Sequence, residues 1–245
     1  MKRFLVTCSY DGSDFAGWQK QENKRCVESE IEKALAGFDQ RASSIVGSGR
    51  TDAKVHALAQ RFHYDTTLEI SASQVVKALN SHLPEDIFIK EAQAVSRDFH
   101  ARFHAINKCY RYLINNRDYD VLMRNYQTYV KDRLDVARMR ETAELFVGHQ
   151  DFATFCATTF EEKENQVREI RSLVVSDNEG IITLTFEGKS FLRYMVRMIS
   201  QTLIEVGRGK LTKDEVEEML KAKDKSACRY NAKPEGLYLV RIDYE

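Results

Sequence analysis

Val167-Arg168-Glu169-Ile170-Arg171-Ser172-Leu173-Val174-Val175-Ser176 and Ile181-Ile182-Thr183-Leu184-Thr185-Phe186-Glu187 are two strand-like runs separated by Asp177-Asn178-Glu179-Gly180. β-Branched and aromatic residues favour a pleated surface, and the polar tetrapeptide ending in glycine predicts a hairpin turn. Beyond the hairpin, Phe191, Leu192, Met195, Val196, Ile199, Leu203 and Val206 recur at helical spacing and stop at Gly207. A further helix is expected from Thr212 to Lys221, and a last strand from Leu237 to Tyr244. Before the hairpin lie a strand from Lys108 to Asn115 and a helix capped by Asp135 that runs to Phe146, with Gly148 just beyond it.

The first part of the chain shows the same order. Arg3 to Tyr10 is a β-type run, and Ile31, Ala34, Leu35 and Phe38 place a helix over Val27 to Phe38. Short strands fit Ala42 to Gly47 and Ala59 to Asp65. Ser71 caps a helix carrying Val75, Val76 and Leu79 as far as Leu83-Pro84, and Ile87 to Ala94 is a strand. Two β-α-β-β-α-β units predict ferredoxin-like halves in an α+β protein, 1–107 and 108–245, with the boundary near Asn107. Element order alone carries this, because the two halves share negligible sequence similarity.

With 43% hydrophobic and 30% charged residues in 245, the chain has the composition of a soluble globular protein. No apolar run reaches the roughly 18 residues of a membrane helix, and the apolar stretch after Met1-Lys2-Arg3 is too short for a signal peptide. Five dispersed cysteines without a C-x-x-C argue against a disulfide framework or a zinc site and fit a reducing cytosol. The 37 basic and 37 acidic residues balance, which by itself weighs against a nucleic-acid partner. Distribution counts for more than the sum, since only the surface facing phosphates must be positive. Lys189 to Lys213 holds six basic residues against Glu205, and Arg97 to Arg111 holds four against Asp98. Solvated charged faces and RNA-facing surfaces both fit these segments.

The chemistry-bearing stretch is Gly47-Ser48-Gly49-Arg50-Thr51-Asp52-Ala53-Lys54-Val55-His56-Ala57, a glycine-rich loop between two expected strands. Asp52 is its only carboxylate, with Arg50 and Thr51 as candidate hydrogen-bond partners. On these residues alone a structural turn closed by an Asx bond is the simpler reading, and a catalytic loop stays open beside it. The Gly-x-Gly lacks the third glycine and the helix of a dinucleotide site. His100 and His104, four apart, raise a metal pair, but without a third ligand RNA contact or packing is the better account. Trp18 suits either a base-stacking role or a buried loop anchor.

Gly-Arg-Thr-Asp-Ala-x-Val-His-Ala resembles the signature of the tRNA pseudouridine synthase A family. Tyr10 through Gln19, Phe99-His100-Ala101-Arg102-Phe103, Tyr110-Arg111-Tyr112, Asp151-Phe152, Phe191 through Arg197, Val206-Gly207-Arg208-Gly209 and Gly236-Leu237-Tyr238-Leu239 resemble further family blocks in the expected order. Together they cover nearly the whole chain. The resemblance implies two halves whose sheets join into one extended, mainly antiparallel sheet with a central catalytic cleft. It also implies a homodimeric isomerase that acts on the tRNA anticodon stem-loop at positions 38–40 and needs no cofactor or metal.

By the same resemblance Asp52 is the nucleophile, a role an ionised carboxylate suits because it can also leave again. Arg197 is the cation that favours its ionised form. Tyr110 packs on the uracil and serves the proton at C5, while Arg50 holds the flipped nucleotide. His100, Arg102 and Arg208 are expected to contact RNA. Three positions depart from the family pattern: Lys54 stands where most members have glycine, Met198 replaces an asparagine and Gln201 a glycine. Were that glycine at positive φ, lysine would strain the turn by roughly 1 kcal/mol. Two rivals remain at this point: a synthase for ribosomal RNA, and a catalytically idle RNA-binding protein of the same fold. A binder has no need of Asp52, Tyr110 and Arg197 together.

Overall fold

The structure is a computed structural model that describes residues 1–42, 44–157 and 165–245. Among these residues ten strands and five α-helices make an α+β, mainly antiparallel protein. No helix of the described residues is long and apolar enough to cross a membrane. The chain divides into two compact units, Met1–Ile106 with Tyr238–Glu245, and Asn107–Leu237. The last strand, expected in the second half, thus lies almost wholly in unit 1.

In unit 1, β1 (Lys2–Tyr10) runs between antiparallel β4 (Ile87–Val95) and β3 (His56–Thr66). The short β2 (Val46–Gly47) pairs antiparallel with β3, and β10 (Leu237–Tyr244) pairs with it in parallel through Tyr238–His56 and Leu239–Ala57. Residue 43, inside the expected 42–47 strand, lies outside the described residues. Phe4, Leu5, Val6 and Cys8 are all buried, so β1 is the centre of this sheet, and Phe4 stacks on its cross-strand partner Tyr64. Helix α1 (Val27–Ala36) buries Val27, Ile31, Ala34 and Leu35. Helix α2 (Ala72–His82) starts at a full capping box in which Ser71 and Gln74 satisfy each other's backbone.

Unit 2 orders its strands β5 (Ala105–Asn115), β9 (Ile181–Gly188), β8 (Val167–Asn178) and β7 (Gly148–Asp151), all antiparallel. The hairpin is tighter than the four-residue turn expected. Asn178 pairs with Ile181, leaving Glu179 (φ 50°) and Gly180 (φ 81°) as a two-residue turn with both residues left-handed. Asp177 extends the strand and accepts the Gly180 amide through its side chain. Two strands were not anticipated, β7 and the two-residue β6 (Thr128–Tyr129) beside β5, because neither is long enough to show alternation. Helix α3 (Val136–Ala143) is capped by Asp135 and passes into a short 3₁₀ turn that ends at Phe146. It packs on α4 (Met195–Gly207), where a Cβ on Gly207 would stand 2.8 Å from Met139 Sδ. Helix α5 (Lys213–Ala222) begins at a second capping box, Thr212 with Glu215. The five cysteines are buried, and no disulfide joins them.

Candidate active site

The Asp52 loop joins β2 to β3, takes a bond from the Gln60 side chain at the Gly49 carbonyl (2.8 Å), and exchanges backbone hydrogen bonds with the Tyr10–Gln19 segment. Trp18 donates its amide to the Thr51 carbonyl (3.1 Å), and Lys54 donates to the Phe15 carbonyl (3.1 Å). The Tyr10 hydroxyl bonds the buried Thr51 hydroxyl at 2.8 Å. Val55 donates to the Asp52 carbonyl (3.2 Å), closing a turn in which Lys54 has φ 64°. The glycine-favouring conformation at position 54 is therefore present, with a lysine in it.

Two glycines permit this close packing. Gly17 has φ +108°, and a Cβ there would lie 2.7 Å from the Thr51 carbonyl oxygen. A Cβ on Gly12 would lie 2.1 Å from the Val55 oxygen. Trp18, 1% exposed, fills the space beneath Gly47 and packs on Tyr10 and Phe62, so it is a loop anchor and not a base-stacking residue. At the far end His56 accepts the Gly12 amide through Nδ1 (3.1 Å) and stacks on Tyr238 (4.8 Å). Asp52 is thus half-buried, between buried Thr51 and exposed Ala53, on backbone fixed from both sides.

Arg50 is exposed, and its charge reaches Glu28 at the start of α1. The Glu28 carboxylate accepts the Lys20 amide (2.7 Å) and the Gln19 side chain (2.6 Å). Burial raises its pKa, against the opposing pull of the Lys20 amide and Arg50.

In unit 2, Tyr110 sits on β5, buried, with Phe191 edge-on at 5.2 Å. Tyr112, two residues on, is structural: its hydroxyl bonds Thr128 (2.5 Å) and donates to the Lys233 carbonyl (2.8 Å), and burial raises its pKa. Arg197 lies in the first turn of α4. Its Nε donates to the Ala232 carbonyl (2.8 Å), its own carbonyl accepts the Ala232 amide (3.1 Å), and its guanidinium stacks on Tyr194 at 4.9 Å. Tyr194, at φ 62°, is the left-handed residue from which α4 starts, and Arg193 stacks on the same ring. The seven residues from Phe191 to Arg197 therefore both pack on Tyr110 and place Arg197. Met198 and Gln201 follow on α4, Met198 buried and Gln201 donating to Glu205 (2.6 Å).

The remaining candidates are dispersed. His100 and Arg102 lie in the turn before β5, not on a helix. Arg208, at the end of α4, is paired with Glu205 (2.8 Å) and Asp132 (3.1 Å). Lys210 also faces Glu205 at 3.8 Å and Lys213 meets Glu141 at 3.1 Å, so the positive segment 189–213 is partly neutralised within the protein. Sequence reasoning missed Tyr194, which carries no pattern signal, and the supporting roles of Tyr10, Gly12, Gly17 and Glu28. The two glycines inside a recognisable block were the available clue.

The sequence model of a family described as tRNA pseudouridine synthase matches residues 7–104 and 142–245. A protein named tRNA pseudouridine synthase A from Exiguobacterium sp. is 42% identical over 245 residues, covering 100% of this chain and 99% of its own. The protein of that name from Bacillus subtilis is 42% identical over 246 residues, covering 99% of each chain. One from Limosilactobacillus reuteri is 40% identical over 250 residues, covering 100% of this chain and 97% of its own. A solved Cbf5–Nop10–Gar1 complex matches at a TM-score of 0.34 and 12% identity, covering 82% of this chain and 54% of that one. With the match spanning most of the chain and full-length relatives above the level at which families are told apart, this chain belongs to the tRNA pseudouridine synthases, isomerases of uridine in tRNA.

Proposed function

We propose that the chain converts uridines at positions 38–40 of the tRNA anticodon stem-loop to pseudouridine, with Asp52 as the nucleophile. The single observation that carries this is the Asp52 loop: one half-buried carboxylate on backbone clamped from two sides. The reaction breaks the C1′–N1 bond, turns the uracil and joins C1′ to C5, after which the C5 proton leaves and N1 gains one. Atoms and electrons balance without an external reactant. The protein therefore has to supply a nucleophile, confinement of the freed base and a proton acceptor. A carboxylate in a fixed position supplies the first at neutral pH, and the fixed backbone means little reorganisation as it attacks.

Tyr110 packs on the uracil and serves the C5 proton, with Arg197 supplying positive charge to the same reaction. Edge-on contact with Phe191 sets the plane of the Tyr110 ring, and the Ala232 carbonyl sets the direction of Arg197. Arg50 holds the nucleotide that must leave the stack, a step that costs a few kcal/mol. His100, Arg102 and Arg208 contact the RNA. The enzyme works as a homodimer in the cytoplasm.

Asp52→Asn tests the reading. Asn keeps the shape of the side chain without its nucleophilicity. Tritium release from tRNA labelled at uridine C5 should vanish, while binding of the same tRNA stays within about threefold of wild type. Release at more than about a thousandth of the wild-type rate would remove Asp52 from the nucleophile's role.

A further inference from the structure

Phe103 is 69% exposed, yet it stands on one of the most firmly held turns of unit 1. Arg3 donates to the carbonyls of Arg97 (2.6 Å) and Phe99 (2.7 Å) and is itself tied to Asp65 by two 2.7 Å bonds. The Tyr244 hydroxyl donates to the Ala101 carbonyl (2.7 Å), and the Ala101 amide donates to His63 Nδ1 on β3 (3.1 Å). Within the turn, the amides of Arg102 and Phe103 both donate to His100 Nδ1 (3.2 and 3.4 Å), and the His104 amide donates to the His100 carbonyl (3.0 Å). A large apolar ring is therefore presented to water on backbone that has already lost its freedom.

The rings beneath it form a column. His63 meets His100 edge-on at 5.0 Å, and His100 lies against Phe103 at 4.2 Å with 30° between the planes. His100 thus backs the Phe103 ring, while most of the residue stays exposed. Both imidazoles are neutral near pH 7: burial, then the Arg3 cation, lowers the pKa of each, and the two amides donated to His100 require its Nδ1 to be unprotonated. Arg102 stands 5.9 Å from the Phe103 ring, and exposed Arg97 belongs to the same turn, against one acidic residue there, Asp98. An exposed aromatic ring flanked by arginines on a preorganised turn has the chemistry of a base-stacking platform of a single-strand RNA site. A stacked base together with its phosphates uses both the ring and the arginines, whereas phosphate alone leaves the ring unused.

We propose that Phe103, backed by His100, is a second nucleobase site that stacks one unpaired base of the bound RNA other than the reacting uridine. The assignment rests on the proposed function, since tRNA is the source of that base. Asp52 acts on one nucleotide; Phe103 sets which neighbouring nucleotide must be unpaired, and so contributes to choosing among stem-loops. It is a binding residue and takes no part in bond making.

The test measures affinity for an anticodon stem-loop RNA in the Asp52→Asn background, with turnover of the same RNA followed in the wild-type background. Phe103→Ala should weaken binding roughly 5- to 100-fold, the range seen on removing one aromatic–base stack. Phe103→Trp should stay within about twofold, while Phe103→Leu should behave like Ala, because an aliphatic side chain keeps apolar area but offers no π-face. A single abasic nucleotide at the contacted position should weaken binding to the parent and leave binding to Phe103→Ala unchanged. The fluorescence of Trp at 103, read over buried Trp18, should be quenched by intact RNA and not by that abasic RNA. Because residue 103 is exposed, thermal melting should be unchanged by the Ala substitution.

Equal binding by Phe103→Ala and parent, or no abasic position that couples to residue 103, refutes the platform while turnover of tRNA by the wild type leaves the enzyme reading intact. A Leu variant equal to parent, with self-association altered in the Ala variant, assigns the ring to a second copy of the chain and also refutes it. Absence of wild-type turnover on any tRNA removes the proposed function, and the platform falls with it.

Discussion

Gly17→Ala puts the link between fold and chemistry under the sharpest strain. Gly17 has φ +108°, a conformation from which a Cβ is excluded, and the added methyl would lie 2.7 Å from the Thr51 oxygen and 3.1 Å from the Asp52 carbonyl carbon. Neither neighbour is a flexible side-chain tip; both are backbone of the loop itself. Backbone strain of this kind costs about 1–3 kcal/mol, and relief of the contact requires the loop to move by several tenths of an ångström. For a chain of this length roughly 2 kcal/mol lowers Tm by about 4–8 °C. The same movement displaces Asp52, and a misplacement approaching 1 Å costs on the order of 100-fold in rate.

The expected result is a 10- to 100-fold fall in the single-turnover rate of tritium release, with tRNA affinity within about threefold of wild type, since no RNA-facing side chain is altered. Gly37→Ala is the control. Alanine suits its φ of −65°, and the nearest atom to the added Cβ belongs to the exposed, movable His82 ring (2.5 Å) in the same unit, so Tm and rate should both stay near wild type. If Gly17→Ala lost stability and kept the wild-type rate, the backbone clamp would not be what positions Asp52.

Lys54→Gly should raise Tm by about 1–3 °C in thermal melts, because lysine at φ 64° carries roughly 1 kcal/mol of left-handed strain that glycine lacks, partly offset by the greater freedom of an unfolded glycine; a lower Tm would show that the strain is relieved in some other way. His63 gives a pH signature: burial, then Arg3 and His100, hold its pKa down at about 4 against 6.5 when unfolded. Between those values the unfolded chain binds more protons, so stability present above pH 6.5 is lost as the pH falls toward 4. Urea midpoints measured from pH 7 to 4.5 should fall less in His63→Gln than in wild type, and parallel curves would clear His63 of that role.

Much of the element order was legible because it rests on local physics. The Ser71 and Asp135 caps, the helix expected from Thr212 and the α4 stripe each announce themselves within a few residues, and each is found. The limits of the elements were less legible wherever a single left-handed residue decides them. Glu179 shortens the hairpin turn to two residues, and Tyr194 delays α4 until Met195 although Phe191 and Leu192 continue its apolar pattern. Neither residue type advertises a positive φ, so no periodicity argument reaches them. The return of Tyr238–Glu245 to unit 1 was hidden for a different reason: a strand's sequence states its faces but not its partner, and pairing with His56 and Ala57 is a long-range event.

The candidate site divides along the same line. Asp52 stood out as the only carboxylate of a glycine-rich loop, but nothing local to the loop explains how it is held. Its support is the Tyr10–Gln19 segment, more than thirty residues earlier, acting mainly through main-chain atoms that have no residue identity to read. The one trace such an arrangement leaves in a sequence is the absence of side chains where two backbones meet, and Gly12 and Gly17 are that trace. Lys54 shows how far the trace can be trusted. Its turn also demands a positive φ, yet position 54 is exposed, and a lysine is tolerated there at the cost of strain. Position 17 is constrained by φ and by backbone contact together, position 54 by φ at an exposed site, and that difference sets which of the two can vary without moving Asp52.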